Sequence, residues 1–274
     1  MIIKAVIIII LSILFLLVLI TAALRSYIND SKIAIKRIRK TSEKYMAVLA
    51  HPDDEVMIAG TIAKLKAYGH HVHLLYLTHG EDGPTGGLCL QEELGKLREK
   101  ELNHVKEILR ADSLTILDYP DRYLISQDKE EIKKAISEKM EMINPDYVIT
   151  FDDTIGLYGH SDHKTCGEMV QALVKEKKFN IRNLYIMTLP ESMIKIALKM
   201  SKTFKDNYKN SKGLPECDFC IEISRYGHAK LGVIRAHETQ WQVMGDVQPL
   251  YNKIPYFIYY RIFNREYFSN IRIK

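Results

Sequence analysis

Cysteine is scarce in this chain, with Cys89, Cys166, Cys217 and Cys220 the four in 274 residues. Four thiols so spaced make no disulfide framework, which suits a reducing compartment. Cys217 and Cys220 have the spacing of half a zinc site or a redox pair. No second Cys/His pair stands at ribbon-like spacing, so they read as small apolar residues at the edge of a strand, FCIEI. There is no internal repeat and no low-complexity tract. The body of the chain also lacks an excess of basic charge. Residues 1–44 hold eight Lys and Arg against two Asp and Glu, which leaves 31 against 32 for the remainder. The pI of about 8.8 therefore does not argue for a nucleic-acid partner. It points to an anionic lipid surface beside the amino-terminal segment.

What that segment has is an uninterrupted apolar run. From Ala5 to Leu24 the sequence AVIIIILSILFLLVLITAAL carries no charge, and at about 1.5 Å per helical residue it covers a hydrocarbon core of about 30 Å. A cleaved signal peptide has a shorter apolar region and a small-residue cleavage site, of which Thr21-Ala22-Ala23 is a poor copy. The run over residues 1–24 reads as a retained transmembrane helix. Arg25, Lys32, Lys36, Arg37, Arg39 and Lys40 follow it, against Lys4 before it. This asymmetry predicts a single-pass membrane protein with its body on the cytoplasmic side. Residues 25–44 read as a basic juxtamembrane linker whose isoleucines at 28, 33, 35 and 38 fit a helix lying on the membrane.

From Tyr45 the chain alternates. Candidate strands cover 45–50, 71–78, 114–118, 146–151, 183–189 and 219–223. Helical patterns lie between and after them, near 55–68, 91–110, 128–143, 162–176, 191–205 and 228–243. Short apolar strands separated by amphipathic helices predict an α/β fold, a Rossmann-like, mostly parallel sheet with helices on both faces. The predicted domain spans 45–250. Residues 251–274 mix tyrosine and phenylalanine with Arg261, Arg265, Arg272 and Lys274. They read either as a basic aromatic tail at a membrane interface or as a terminal helix packed on the sheet.

In such a sheet ligands bind outside the carboxyl ends of the strands, and the polar clusters fall there. HPDDE (51–55) follows the first strand, THGEDG (78–83) the second, DYPD (118–121) the third, and FDD with GLYGHSDH (156–163) the fourth. The turn after the first strand lacks the glycines of a dinucleotide-binding loop. Three carboxylates behind a His-Pro turn would repel a phosphate unless a cation intervened. A helix cap accounts for one aspartate of the three. Imidazole with carboxylate suits zinc or a similar divalent ion. A catalytic zinc takes three protein ligands and keeps one open position. His51 and Asp54 supply two, and His163 completes the set. Asp53 is left beside the metal as a base.

AHPDDE (50–55), THGEDG (78–83), YGHSDH (158–163) and HETQ (237–240) resemble the LmbE/PIG-L-like zinc de-N-acetylases over residues 45–243. The resemblance implies His51, Asp54 and His163 as metal ligands and Asp53 as general base. It implies His160 as the residue that polarises or protonates the reacting centre, and Tyr158 as the active-site tyrosine. Arg98, in LREKEL, corresponds to a substrate-facing arginine, and His237 to a supporting position. Ser161 replaces a proline common in the family and removes no ligand. The expected reaction is hydrolysis of the acetamide of an N-acetylglucosamine-type sugar. The anchor points to a glycolipid substrate and membrane lipids as partners. The rivals are a deacetylase of a soluble glycoside and a non-catalytic, zinc-stabilised membrane scaffold. The His-Asp-His set also accepts Fe2+ and other divalent ions.

Overall fold

The computed structural model describes residues 2–176, 178–208 and 213–273. Helix α1 (Ile2–Ile28) leads to a two-residue strand, β1 (Ala34–Ile35), and then to β2 (Lys44–Leu49), α2 (Ala59–Ala67), β3 (His71–Thr78), α3 (Leu94–Leu109) and β4 (Ser113–Tyr119). The chain returns through α4 (Lys129–Ile143) to β5 (Tyr147–Thr150), the one-turn α5 (Gly156–Gly159), α6 (Ser161–Lys175) and β6 (Asn183–Thr188). It continues with α7 (Glu191–Met200), α8 (Lys202–Tyr208), β7 (Phe219–Glu222), α9 (Gly227–Ala236), α10 (Trp241–Val247), α11 (Tyr256–Ile262) and β8 (Arg265–Arg272).

The eight strands form one sheet in the order β1-β7-β8-β6-β5-β2-β3-β4. All neighbours are parallel except β8, which runs antiparallel to both β6 and β7. The first five residues after Lys44 are all buried, as a central strand covered on both faces requires. From β2 the order steps one way through β3 and β4, then reverses to β5 and β6. Right-handed crossovers in opposite directions put α2 and α3 on one face and α4 and α6 on the other. The reversal between β2 and β5 opens the crevice at which an α/β sheet binds its ligand. The loops after those two strands carry HPDDE and GLYGHSDH.

All six expected strands are present, and the differences lie at the ends. Residues 25–44 are not a surface helix. Ile28 and Asn29 are buried, and Ala34 and Ile35 pair with Phe219 and Cys220 at the sheet edge. Lys36 lies over the rings of Tyr185 and Phe219, which holds this basic stretch to the sheet instead of the membrane. Residues 251–273 are neither a free tail nor a single packed helix, since β8 lies between β6 and β7. Lys274 falls outside the described residues. The sheet therefore extends past both boundaries expected from sequence, 45 and 250. Two expected helices are broken, at Ser201 between α7 and α8 and at His237 between α9 and α10.

Helix α1 is long and apolar enough to cross a membrane. Its most apolar window has a mean hydropathy of 3.3 and none of it is buried against the protein. Its end is rooted through Asn29, whose Nδ2 donates to Ile262 O at 3.2 Å and Asn264 Oδ1 at 3.1 Å. The Tyr267 hydroxyl donates to Asn29 Oδ1 at 2.8 Å. α1 packs against α11 and α7. Phe268, fully buried in β8 between Tyr185 and Phe219, separates an integral strand from a surface tail. Phe268→Ala is expected to cost about 3–5 kcal/mol in denaturant unfolding; a loss within experimental error would mean that β8 is not part of the core.

Candidate active site

The loop after β2 folds around the Asp54 carboxylate. Its Oδ2 accepts the amide N–H groups of Ala50 at 3.0 Å and His51 at 2.7 Å. Its Oδ1 is left to face His163 Nε2 at 3.0 Å. The Asp54 pKa is displaced below the ordinary carboxylate range. Burial opposes this, but the fields and hydrogen bonds of His163 and His51 outweigh it. Asp53 adopts φ 113°, a left-handed conformation rare for a residue with a Cβ and one that clusters at functional sites. Glu55 accepts the Asp53 N–H at 3.1 Å, and Arg98 Nη2 pairs with Asp53 Oδ2 at 3.1 Å. Burial, opposed by Arg98, pushes the Asp53 pKa up.

His163 comes from the first turn of α6. Its ring stacks on Phe151 at 4.1 Å between centroids, and its Nδ1 lies 3.0 Å from Gly156 O. That carbonyl accepts only, so Nδ1 carries a proton, and Nε2 shares a second one with Asp54 Oδ1 until a cation takes its place. Gly156 has φ 67°, and a Cβ there would meet His163 Cβ at 2.6 Å, so the close approach requires glycine. Asp152 holds the turn by accepting the N–H groups of Thr154, Ile155 and Leu157.

His51 is fixed in the same way from its other side. Its Nε2 lies 3.0 Å from Asp121 Oδ1 and 3.2 Å from Asp162 Oδ2, so the proton sits there and Nδ1 is turned inward, 3.1 Å from His163 Nε2. Burial opposes a charge on His51, but the two hydrogen-bonded carboxylates and Asp54 hold its pKa up to about 10. The same contacts hold Asp121 down to about 2 against its burial. Both outer carboxylates are tied to the backbone. Asp121 accepts Asp82 N–H at 3.0 Å, and Asp162 accepts those of Arg122 at 2.6 Å and Leu124 at 3.3 Å. Asp121 and Asp162 thus orient His51. Nothing in the sequence pattern singled them out beyond their place in DYPD and HSDH.

Once a cation displaces the protons shared among them, His51 Nδ1, His163 Nε2 and Asp54 Oδ1 are three electron-pair donors facing one another. Ligand atoms on a tetrahedral zinc lie about 3.3 Å apart, close to the 3.1 Å between the two histidine nitrogens and the 3.0 Å from His163 Nε2 to Asp54 Oδ1. The residues therefore fit a divalent ion. His160 also stands within 4.8 Å of His51 and His163 by its nearest ring nitrogen. Its Nδ1 caps α6 by accepting Asp162 N–H at 3.2 Å, which leaves Nε2 protonated and a donor. Burial and the two neighbouring imidazoles press the His160 pKa down to about 4.

His51, Asp53, Asp54, Asp121, His160 and His163 line one cavity, together with Tyr158, Arg98, Met57, Gln240 and Val247. The Tyr158 hydroxyl donates to Met57 Sδ at 2.7 Å, a weak acceptor that a ligand oxygen can displace. Arg98 has both Nη atoms engaged, on Asp53, on Gly80 O at 2.8 Å and on Pro52 O. His237 lies outside this lining and is fully buried. Its Nε2 is 2.5 Å from Glu55 Oε1 and its Nδ1 3.8 Å from Glu101 Oε2. Glu101 in turn accepts from Thr239 N at 2.7 Å and Thr239 Oγ1 at 2.9 Å. Burial opposes the His237 charge, but Glu55 and Glu101 raise its pKa to about 9.

The arrangement gathers His51, Asp54 and His163 beside the Arg98-paired Asp53 carboxylate, at the switch point of an α/β sheet. Residues 46–174 match the family model described as PIG-L: GlcNAc-PI de-N-acetylase. A diacetylchitobiose deacetylase of Thermococcus kodakarensis is 30% identical over 203 residues, covering 73% of this chain and 70% of the relative. The chain belongs to the PIG-L family. It is also 28% identical over 244 residues to a 1D-myo-inositol 2-acetamido-2-deoxy-alpha-D-glucopyranoside deacetylase of Mycobacteroides abscessus, covering 75% of this chain and 84% of the relative. Its fold is shared with N,N'-diacetylchitobiose deacetylase of Pyrococcus horikoshii, with a TM-score of 0.63 at 21% identity and 85% of each chain covered.

The buried His237 pair sets a pH dependence of stability. A folded pKa of about 9, above the ordinary 6.5, gives a contribution that is complete below 6.5 and lost as pH rises through 9. His237→Gln is expected to cost roughly 3–5 kcal/mol near neutral pH and to flatten the fall between those limits. An unchanged slope in denaturant titrations would exclude the charged pair.

Proposed function

We propose that this protein is a membrane-anchored, metal-dependent deacetylase. It hydrolyses the acetamide of an N-acetylglucosamine-type sugar carried on a lipid, at the cytoplasmic side of the membrane. The observation that carries the reading is the convergence of His51 Nδ1, His163 Nε2 and Asp54 Oδ1 beside the uncommitted face of Asp53. These three residues would hold Zn2+, or Fe2+ in its place. When bound, the ion supplies Lewis acidity, polarising a carbonyl oxygen and acidifying water.

Asp53 takes a proton from the water that adds to the acetamide carbon. His160 Nε2–H donates to the oxygen on which negative charge develops, a contact of the kind worth about 3–4 kcal/mol when removed. Tyr158 exchanges its weak bond to Met57 for a second contact to that oxygen or to a sugar hydroxyl. As the C–N bond breaks, the proton passes to the amine, and acetate and the free amino sugar leave. Arg98 acts by holding Asp53, with Nε its one guanidinium nitrogen lacking a partner among the described residues. His237 supports the same aspartate through Glu55, which accepts the Asp53 N–H.

A second reading, a soluble glycoside as substrate, is favoured by the polar inositol carrier named for the Mycobacteroides abscessus relative. The carbon skeleton beyond the sugar separates the two, and the chemistry at Asp53 is common to both. The spare carboxylate weighs against a purely structural site, which has no use for it.

The test is amine release from lipid-linked and soluble N-acetylglucosaminides by the metal-loaded full chain. Asp53→Asn is expected to retain metal and lose turnover by 100-fold or more, on the order of a general base's contribution. Asp53→Asn with turnover retained would remove Asp53 as the base. His163→Ala should lose the metal, read by elemental analysis; a fully loaded variant contradicts the ligand set. Chelation should abolish release and added Zn2+ restore it, and activity that survives chelation sinks the metal-dependent mechanism.

A further inference from the structure

A second cavity lies behind the wall of the first. Met57, Tyr158 and Val247 line both, so the Tyr158–Met57 contact is a partition between two chambers. The second chamber is narrow and open at its mouth, with about 90 Å³ of room for a water-sized sphere. Its walls are α7 (through Met193, Ile196, Ala197 and Met200), residues 246–250, and Tyr259 and Phe263 of α11 and its end.

Three features make it a site for an apolar ligand. Four of the chain's ten methionines, Met57, Met187, Met193 and Met200, line it, and flexible thioethers adapt to ligands of variable shape. Most of its polar groups are engaged by the protein. Lys230 Nζ pairs with Glu266 Oε1 at 2.7 Å, Asp246 accepts from Ser201 Oγ at 2.7 Å and Lys202 N at 2.8 Å, and Arg265 Nη1 donates to Asp30 O at 3.0 Å, while Arg265 Nε has no partner among the described residues. Helix α7 also has no buried residue, although Met193, Ile196 and Ala197 face this space. Its apolar side is incompletely covered by the protein itself.

The position selects the occupant. Both walling helices, α7 and α11, are the ones against which α1 packs, and Ser192 of α7 donates to Ile28 O at 2.6 Å. The chamber therefore stands between the root of the apolar helix and the catalytic cavity. We propose that it receives an aliphatic chain of the substrate's carrier while the acetamido sugar occupies the catalytic cavity, with Tyr158 and Met57 between them. This rests on the deacetylase reading and names the carrier.

The probe is dodecyl N-acetylglucosaminide with a diazirine at the end of the chain, photolysed with the metal-loaded full chain in phosphatidylcholine vesicles. Labelling of α7, 246–250 or Phe263, mapped by mass spectrometry, is expected. Labelling confined to α1, or none, overturns the proposal. In the companion kinetics, kcat/KM is compared for methyl and dodecyl glycosides in the same vesicles. Ala197→Phe fills the chamber and Met200→Glu places a charge at its exposed rim. Each is expected to lower kcat/KM for the dodecyl compound by about tenfold or more and to leave the methyl compound unchanged. A chain-length preference kept in both variants overturns the proposal, because membrane partitioning alone is blind to them. Labelling needs no turnover. A labelled chamber without amine release sinks the deacetylase reading alone, and release without labelling sinks the chamber alone.

Discussion

Negative charge buried at the ends of parallel strands is the constraint on which the site depends. Asp53, Asp54, Asp121 and Asp162 meet around two imidazoles, and a buried carboxylate persists only when paired or hydrogen-bonded. Asp54 divides the task between its oxygens, one taking two backbone amides and the other facing His163. Asp121 accepts the amide of Asp82 and Asp162 those of Arg122 and Leu124 while both hold His51. Loops from four strands are thereby stitched into one floor, and the inward lone pairs are what remains unspoken for. A bound cation can take the place of the protons that such an aggregate of carboxylates and imidazoles otherwise holds.

The strain follows from the same requirement. Asp53 lines the cavity from a left-handed backbone, and that conformation is held by Arg98 on its side chain and Glu55 on its amide. Glu55 is buried itself and is balanced by His237 and by the Tyr76 hydroxyl at 2.8 Å. A chain of paired groups thus runs from the core to the catalytic rim. The distant HETQ segment reaches the chemistry through it without touching a substrate.

The central strands and the ligand set were legible because both are local. Six apolar runs announce β2 to β7, and HPDDE places His51, Asp53 and Asp54 within four residues. What could not be read is what distant chain supplies. Asp121 became a partner of His51 only when β4 was placed beside β3, and Asp162 looked like a helix-start residue. Arg98, expected to face the sugar, has its Nη atoms on Pro52, Gly80 and Asp53, which no local pattern encodes. β1 is only two residues long, and β8 carries Arg265, Glu266 and Arg272 among its eight residues, so neither carried a strong strand signal.

The antiparallel strand carries a consequence for biogenesis. β8 joins β6 to β7, so the edge pair β1 and β7 has no hydrogen-bonded connection to the rest of the sheet without it. It is the strand that leaves the ribosome after every other one. Until it arrives, β6 and β7 present open edges, the surfaces through which incomplete sheets pair with one another. The rooted end of α1 also waits for it, because Asn29 takes its partners from Ile262, Asn264 and Tyr267. A nascent chain already inserted by its apolar helix would be confined to the membrane plane, at one copy per ribosome, through the interval in which those edges are unprotected. Early tethering, were α1 to insert as proposed, would isolate the chain during synthesis, separate from any part it plays in reaching a substrate.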